Sequence, residues 1–149
     1  MKISFYILLI TFFTINILSA KENNYYLMLK NNKVNVRYGP GFDYPIKFVY
    51  NKKNLHVQVI DKKENFRRII DFKNNNGWIH TSQLKEGKAF ILLEDQILFT
   101  KPTKYSKPIL KIAKGRLLVV KKCKKIWCSV KTENYTGWIK NKNVWGNIK

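Results

Sequence analysis

The chain has 149 residues, 45% of them hydrophobic and 14% aromatic, and carries 29 Lys and Arg against 9 Asp and Glu for a net charge of +20. Once a leader is set aside, that length admits one ordinary domain or two very small ones. The charge attracts anionic partners, but only four of the cations are arginines (Arg37, Arg67, Arg68 and Arg116), so the planar groups that grip bases and phosphates in pairs are scarce. The lysines also come with many Asn and Ile residues, including the runs Asn23-Asn24, Asn31-Asn32 and Asn74-Asn75-Asn76. That mixture points to a compositional bias across the whole chain and makes nucleic acid a disfavoured partner.

Residues 1–20 read as an export signal. Lys2 begins it, ISFYILLITFFTINIL is its apolar run, and Leu18-Ser19-Ala20 offers a small-residue cleavage site before Lys21. The run holds Thr11, Thr14 and Asn16 and has no basic stop on its far side, which favours a transient signal over a retained anchor. No cysteine follows it to take a lipid. The expected mature chain starts near Lys21 and works in the periplasm or outside the cell, touching the membrane only through the leader.

Beyond the leader every clear segment is short and strand-like. Val34 and Val36 alternate with Asn35 and Arg37, the period of a half-buried strand. A turn-rich loop follows, in which Gly39, Pro40, Gly41 and Pro45 separate Tyr38, Phe42 and Tyr44. Leu55 to Val59 alternates cleanly, placing His56 on the wet face. Phe66 to Phe72 and then Gly77-Trp78-Ile79 supply the next strands.

The pattern then repeats. The segment from Val34 aligns with the segment from Ile97 at a constant offset of 63, matching Pro45 with Pro108, Leu55 with Leu118 and Val57 with Val120. Downstream, Phe66 and Ile69 match Trp127 and Val130, and Gly77-Trp78-Ile79 matches Gly137-Trp138-Ile139 at an offset of 60. Leu117 to Val120 is uninterrupted apolar and suits a strand covered on both faces. A repeat of this length is a complete unit, and the polar stretch Lys85-Glu86-Gly87-Lys88 suits a linker. The expected fold class is all-β, with two small antiparallel barrels over 24–85 and 88–147. Units this small are marginal alone, so the two should pack together.

The order VNVR-x-GP, a Pro-Ile strand, an alternating strand, an aromatic residue three before an aliphatic one, and then GWI resembles that of bacterial SH3-like (SH3b) domains. CKKIWCSV, YTGWIK and VWG in the second copy are similar to the C-terminal half of exported tandem SH3b proteins. The resemblance covers essentially the whole mature chain. It implies a non-catalytic targeting or binding module at the cell envelope, acting on peptidoglycan or peptides and needing no cofactor. The second copy has LFTKPTKY in place of VNVRYGPG, so a ligand role for this loop belongs mainly to the first copy.

Cys123 and Cys128 flank Lys124 to Trp127 and would face each other across a tight hairpin, within reach of a disulfide; two buried free thiols are the alternative. No catalytic constellation assembles. His56 and His80 read as surface residues, and a Cys-x4-Cys pair without a matching His pair is a weak zinc signal. The candidate ligand-binding residues are Arg37, Tyr38, Phe42 and Tyr44. Their rings either fill the corner between loop and barrel or stay exposed beside Arg37 as an aromatic floor with a cation. Three roles remain open: an adaptor for peptidoglycan or a peptide, a subunit docking to another envelope protein, and a polyanion binder. The leader gives the first test: protein taken from its native envelope should have the intact mass of a chain beginning near Lys21, and a mass that retains Met1 to Ala20 would make the segment an anchor.

Overall fold

The computed structural model describes residues 25–146; the expected leader, the first residue of the expected first unit and the last residue of the expected second unit lie outside that range. The first unit runs β1 (Tyr25–Leu29), β2 (Val34–Arg37), β3 (Ile46–Tyr50), β4 (His56–Lys63), β5 (Phe66–Ile70), β6 (Asn76–His80), a 3-10 turn (Thr81–Gln83) and β7 (Leu84–Lys85). The second runs β8 (Ala89–Leu92), β9 (Gln96–Phe99), β10 (Pro108–Ile112), β11 (Leu117–Lys124), β12 (Trp127–Thr132), β13 (Tyr135–Lys140) and β14 (Val144–Trp145). Each unit is one seven-stranded antiparallel sheet, and both share one strand order, β3-β2-β6-β5-β4-β1-β7 and β10-β9-β13-β12-β11-β8-β14.

The ladders correct the constant offset. Leu27 opposes Val57 and Phe90 opposes Leu118, so β1 and β8 are 63 apart. Val36 opposite Phe48 corresponds to Leu98 opposite Leu110, an offset of 62. Val59 opposite Ile69 corresponds to Val120 opposite Val130, an offset of 61, and Trp78 corresponds to Trp138 at 60. One residue is lost in each of three alternate connections, β1–β2, β3–β4 and β5–β6, while the loops between keep their length. Anchoring on Pro45 and Pro108 hid this, because Pro108 in fact takes the place of Ile46.

The sheets bend where a strand carries an extra residue: Lys47 and Ile109 are passed over in the pairing of β3 and β10, and Ile60 and Lys121 in that of β4 and β11. Such bulges increase local twist and let one sheet curl around its own core. The recurrent glycine before tryptophan has a steric cause. A Cβ on Gly77 would lie 2.9 Å from the Arg37 carbonyl oxygen, and one on Gly137 would lie 2.7 Å from that of Phe99. In both units the crossing strands approach too closely for any side chain.

Val34, Val36, Leu55, Val57, Val59, Ile69 and Ile79 form the first core, as the alternation of β2 and β4 requires. Phe90, Leu92, Leu98, Leu118, Cys128, Val130 and Ile139 form most of the second. The barrels then share surface. Ile91 belongs to the first core although it sits on β8, and Leu117 and Trp145 pack against that same core. Along β8, Phe90 and Leu92 point into their own barrel while Ile91 faces the other. All four residues of the strand are therefore buried, which is the signature of a strand covered on both faces. Leu117 and Leu118 divide in the same way.

His56 departs from expectation. It is fully buried, not on a wet face, because the outer face of β4 at this point meets the second barrel. Its ring lies 5.0 Å from Tyr26 and 6.4 Å from Trp145, and a Cβ on Gly146 would come within 2.7 Å of its Nδ1. Gly146 also has φ +131, a conformation open to glycine. Among the described residues neither ring nitrogen has a hydrogen-bond partner; the Ala89 backbone favours the charged form without reaching good geometry.

Cys123 and Cys128 are directly opposed in the β11–β12 hairpin and joined by a disulfide. Cys128 is buried in the second core, so the bridge ties the hairpin tip to it.

Burial lowers the His56 pKa from 6.5 to about 4, since desolvation disfavours the imidazolium. The unfolded chain therefore takes up this proton near pH 6.5 and the folded chain only near pH 4. The stabilising contribution is complete above pH 6.5 and is lost as pH falls toward 4, on the order of 3 kcal/mol in all. Urea unfolding of wild type and His56→Leu (Leu117 is the equivalent residue in the second unit) should give stability curves that diverge across this interval. Parallel curves would mean that His56 is not the source.

Candidate functional site

The four candidate residues lie together at the end of β2 and on the loop that follows it to β3. Its frame is set by Tyr38 N–H donating to the Pro45 carbonyl at 3.2 Å and Gly41 N–H donating to that of Gly39 at 3.0 Å. Arg37 closes it: Nη1 donates to the Phe42 carbonyl at 3.1 Å and the Tyr44 carbonyl at 2.7 Å, while the guanidinium carbon sits 5.4 Å from the centre of the Phe42 ring. A cation at this place organises the loop before it meets any ligand.

The rings do not sink into the barrel. Tyr38 is 62% exposed, Phe42 64% and Tyr44 43%. Each leans on a neighbour with one side and shows the rest to water. Tyr44 lies against the bare backbone of Gly39, where a Cβ would collide with it. Phe42 packs 5.3 Å from Phe66 and 5.0 Å from His80, both measured between ring centres. The Lys47 ammonium stands 5.6 Å from the Tyr38 ring and also donates to the Asn76 carbonyl at 2.9 Å. The result is a fixed ledge of aromatic faces with two cations at its margin.

His80 joins this ledge, which sequence reasoning missed. It is half-buried at the end of β6, and its Nδ1 accepts from the Ser82 N–H at 3.3 Å to cap the 3-10 turn. The usable signal was its position, since the residue after GWI lies opposite Phe66 in the ladder.

Other polar groups are spent on structure. Asp71, which is buried, accepts from the Lys73 and Asn75 N–H groups at 2.8 and 2.9 Å, and from the Tyr50 hydroxyl and the Asn75 amide at 2.9 Å each. It thereby shapes the β5–β6 turn, and burial together with the Asp71 charge raises the Tyr50 pKa. Among the described residues no cluster of three His, Cys, Asp or Glu side chains is placed to hold a metal. No helix there is long and apolar enough to cross a membrane.

In the second barrel the corresponding loop runs from Phe99 to Pro108 and keeps the same frame. Thr100 N–H donates to the Lys107 carbonyl at 3.1 Å and Thr103 N–H to that of Lys101 at 2.8 Å. The organiser has changed: the Ser106 hydroxyl bonds the Lys101 and Thr103 carbonyls, each at 3.1 Å. Tyr105 projects with 86% exposure.

The bacterial SH3 domain family matches the chain twice, over residues 30–86 and 94–146. Among solved structures, NlpC2 from Trichomonas vaginalis aligns with a TM-score of 0.39 at 11% identity, over 83% of this chain and 48% of that one. NlpC1 from the same organism gives 0.39 at 10% identity, over 87% and 48%. An NlpC/P60 family protein from Bacillus cereus gives 0.36 at 13% identity, over 80% and 55%. The chain spans about half the length of these proteins. No curated protein matches it.

If Arg37 holds the loop as the geometry indicates, Arg37→Gln should cost about 1–2 kcal/mol of stability through two lost charge-assisted hydrogen bonds. Hydrogen exchange should speed up at the Tyr38 and Gly41 amides while β5 stays protected. Unchanged exchange in the loop would show that it stands without Arg37.

Proposed function

The chain belongs to the bacterial SH3 domain family, in two tandem copies, and from that premise we propose that it is an exported, non-catalytic binding module of the cell envelope that recognises peptidoglycan or a peptide. The observation that carries this reading is the exposed ledge of Tyr38, Phe42 and Tyr44, fixed in place by Arg37. Large aromatic faces already held in position bind a ligand at low entropic cost. A binding role is also supported by where the reactive groups are spent. Asp71 is consumed by a turn, and His56 is sealed between the barrels. The disulfide is in keeping with an oxidising compartment.

The net charge of +20 favours a second reading, that of a polyanion binder. Among the described residues only two ion pairs form, Lys111 with Asp95 and Arg116 with Glu133, so most of the cations face solvent. Exposed charges steer a partner but contribute little specific affinity.

Cosedimentation with purified sacculi separates the two, run at low salt and at about 0.5 M, where screening reaches only a few ångströms. For the ledge reading, binding persists in salt and falls in the Tyr38→Ala, Phe42→Ala double variant with its fold intact. Binding that vanishes in salt and ignores the double variant would replace it with the polyanion reading, and DNA or heparin should then bind equally well.

A further inference from the structure

The corrected register brings out a difference between the two barrels. Counted through the ladders, Arg37, Phe42, Phe66 and His80 of the first correspond to Phe99, Lys104, Trp127 and Lys140 of the second. The loops between are equal in length and share their backbone bonds, which fixes Lys104 as the counterpart of Phe42. In the first barrel the Phe42 ring covers this spot, lying on Phe66 and His80. In the second a lysine takes the place of that ring, Trp127 is met instead by the edge of Phe99, and beside them lies a cleft of about 340 Å³, floored by Ile97 and Phe99 and bordered by Lys104, Lys140 and Lys142.

We infer that this cleft in the second barrel is a binding site of its own, for the C-terminal carboxylate of a short apolar peptide. Its volume is at the lower end of small-ligand sites and suits a few small residues. Ile97 is 44% exposed although apolar, and Phe99 stands edge-on to Trp127 with centres 5.8 Å apart, so the floor is firm and dry on one side. The ammonium groups are held over rings: that of Lys140 is 5.8 Å from Trp127 and that of Lys104 is 5.0 Å from Tyr105. Gln96 donates to the Lys142 carbonyl at 2.7 Å and fixes the far wall. Three ammonium groups against the single carboxylate of Glu94 leave the rim net positive.

Lysines act as point charges, whereas phosphate is gripped best by the arginine fork, and no arginine lines the cleft. An apolar floor beneath a cationic rim therefore fits an apolar residue ending in a carboxylate better than a bare anion. The site stands whether or not the ledge of the first barrel binds anything.

The test titrates acetyl-Ala-Ala-Ala into the isotopically labelled chain and follows backbone amide shifts. Saturable shifts are expected in β9, the 99–108 loop and the end of β13. Capping the peptide as its C-terminal amide, or introducing Lys104→Gln with Lys140→Gln, should weaken binding by about tenfold or more, as loss of a charge-assisted contact implies. Lys62→Gln with Lys63→Gln, which removes the same charge elsewhere, should leave it unchanged. Lys104→Phe should fill the cleft with a ring and abolish the shifts, with the rest of the spectrum preserved. The proposal fails if the amide binds as well as the acid, if inorganic phosphate competes at equal concentration, or if the shifts fall only in the 37–46 loop.

Discussion

The first barrel does not finish its own core. Its sheet encloses Val34, Val36, Val57 and Ile79 on the inside, but its outer face at β1 and β4 carries Tyr26 and His56, which water would otherwise reach. Ile91, Leu117 and Trp145 of the second barrel cover that face. Sheets of this size bury barely enough apolar area to repay chain entropy, and a shared wall lowers the deficit for both. The demand for a two-faced strand explains why β8 has no polar residue at all. The close seating of Gly146 against Ala89 and His56 follows from the same contact.

That wall also marks the limit of what the sequence could reveal. Alternation in β2 and β4 correctly placed Val34, Val36, Val57 and Val59 inside, because those residues obey a rule internal to one sheet. The Cys123–Cys128 pairing followed from hairpin geometry, and the all-β tandem organisation from turn chemistry and the repeat. His56 went astray because alternation reports only which face a residue takes. Whether the outer face meets water or another domain is decided by residues more than thirty positions away. The repeat was visible, and so was its shortening to an offset of 60 at the glycine-tryptophan strands, but an alignment pinned on prolines held 63 through β4 and hid where the first residues are lost.

The candidate site was half legible. Glycine and proline spacing announced the loop, and the aromatic residues within it could be counted, yet their exposure depended on Arg37 reaching back to two carbonyls. His80 entered the site through cross-strand pairing, which single-segment reading does not see. The second loop looked like a departure from the pattern. In the folded chain it reproduces the same backbone bonds with a serine in the organising role. Conserving the frame while exchanging what it displays is the freedom that loops on a rigid scaffold provide.

Trp145, in the last strand of the second barrel, and Gly146 just after it belong by sequence to that barrel, and by contact to the first. A chain that emerges from its N-terminal side must therefore hold the first barrel open on one flank until Trp145 and Gly146 have appeared. During that interval Tyr26 and His56 face solvent beside a cationic surface that discourages self-association. Between the two barrels the order of appearance and the order of completion run opposite to one another, so the one made first waits on the final strand of the second to be sealed.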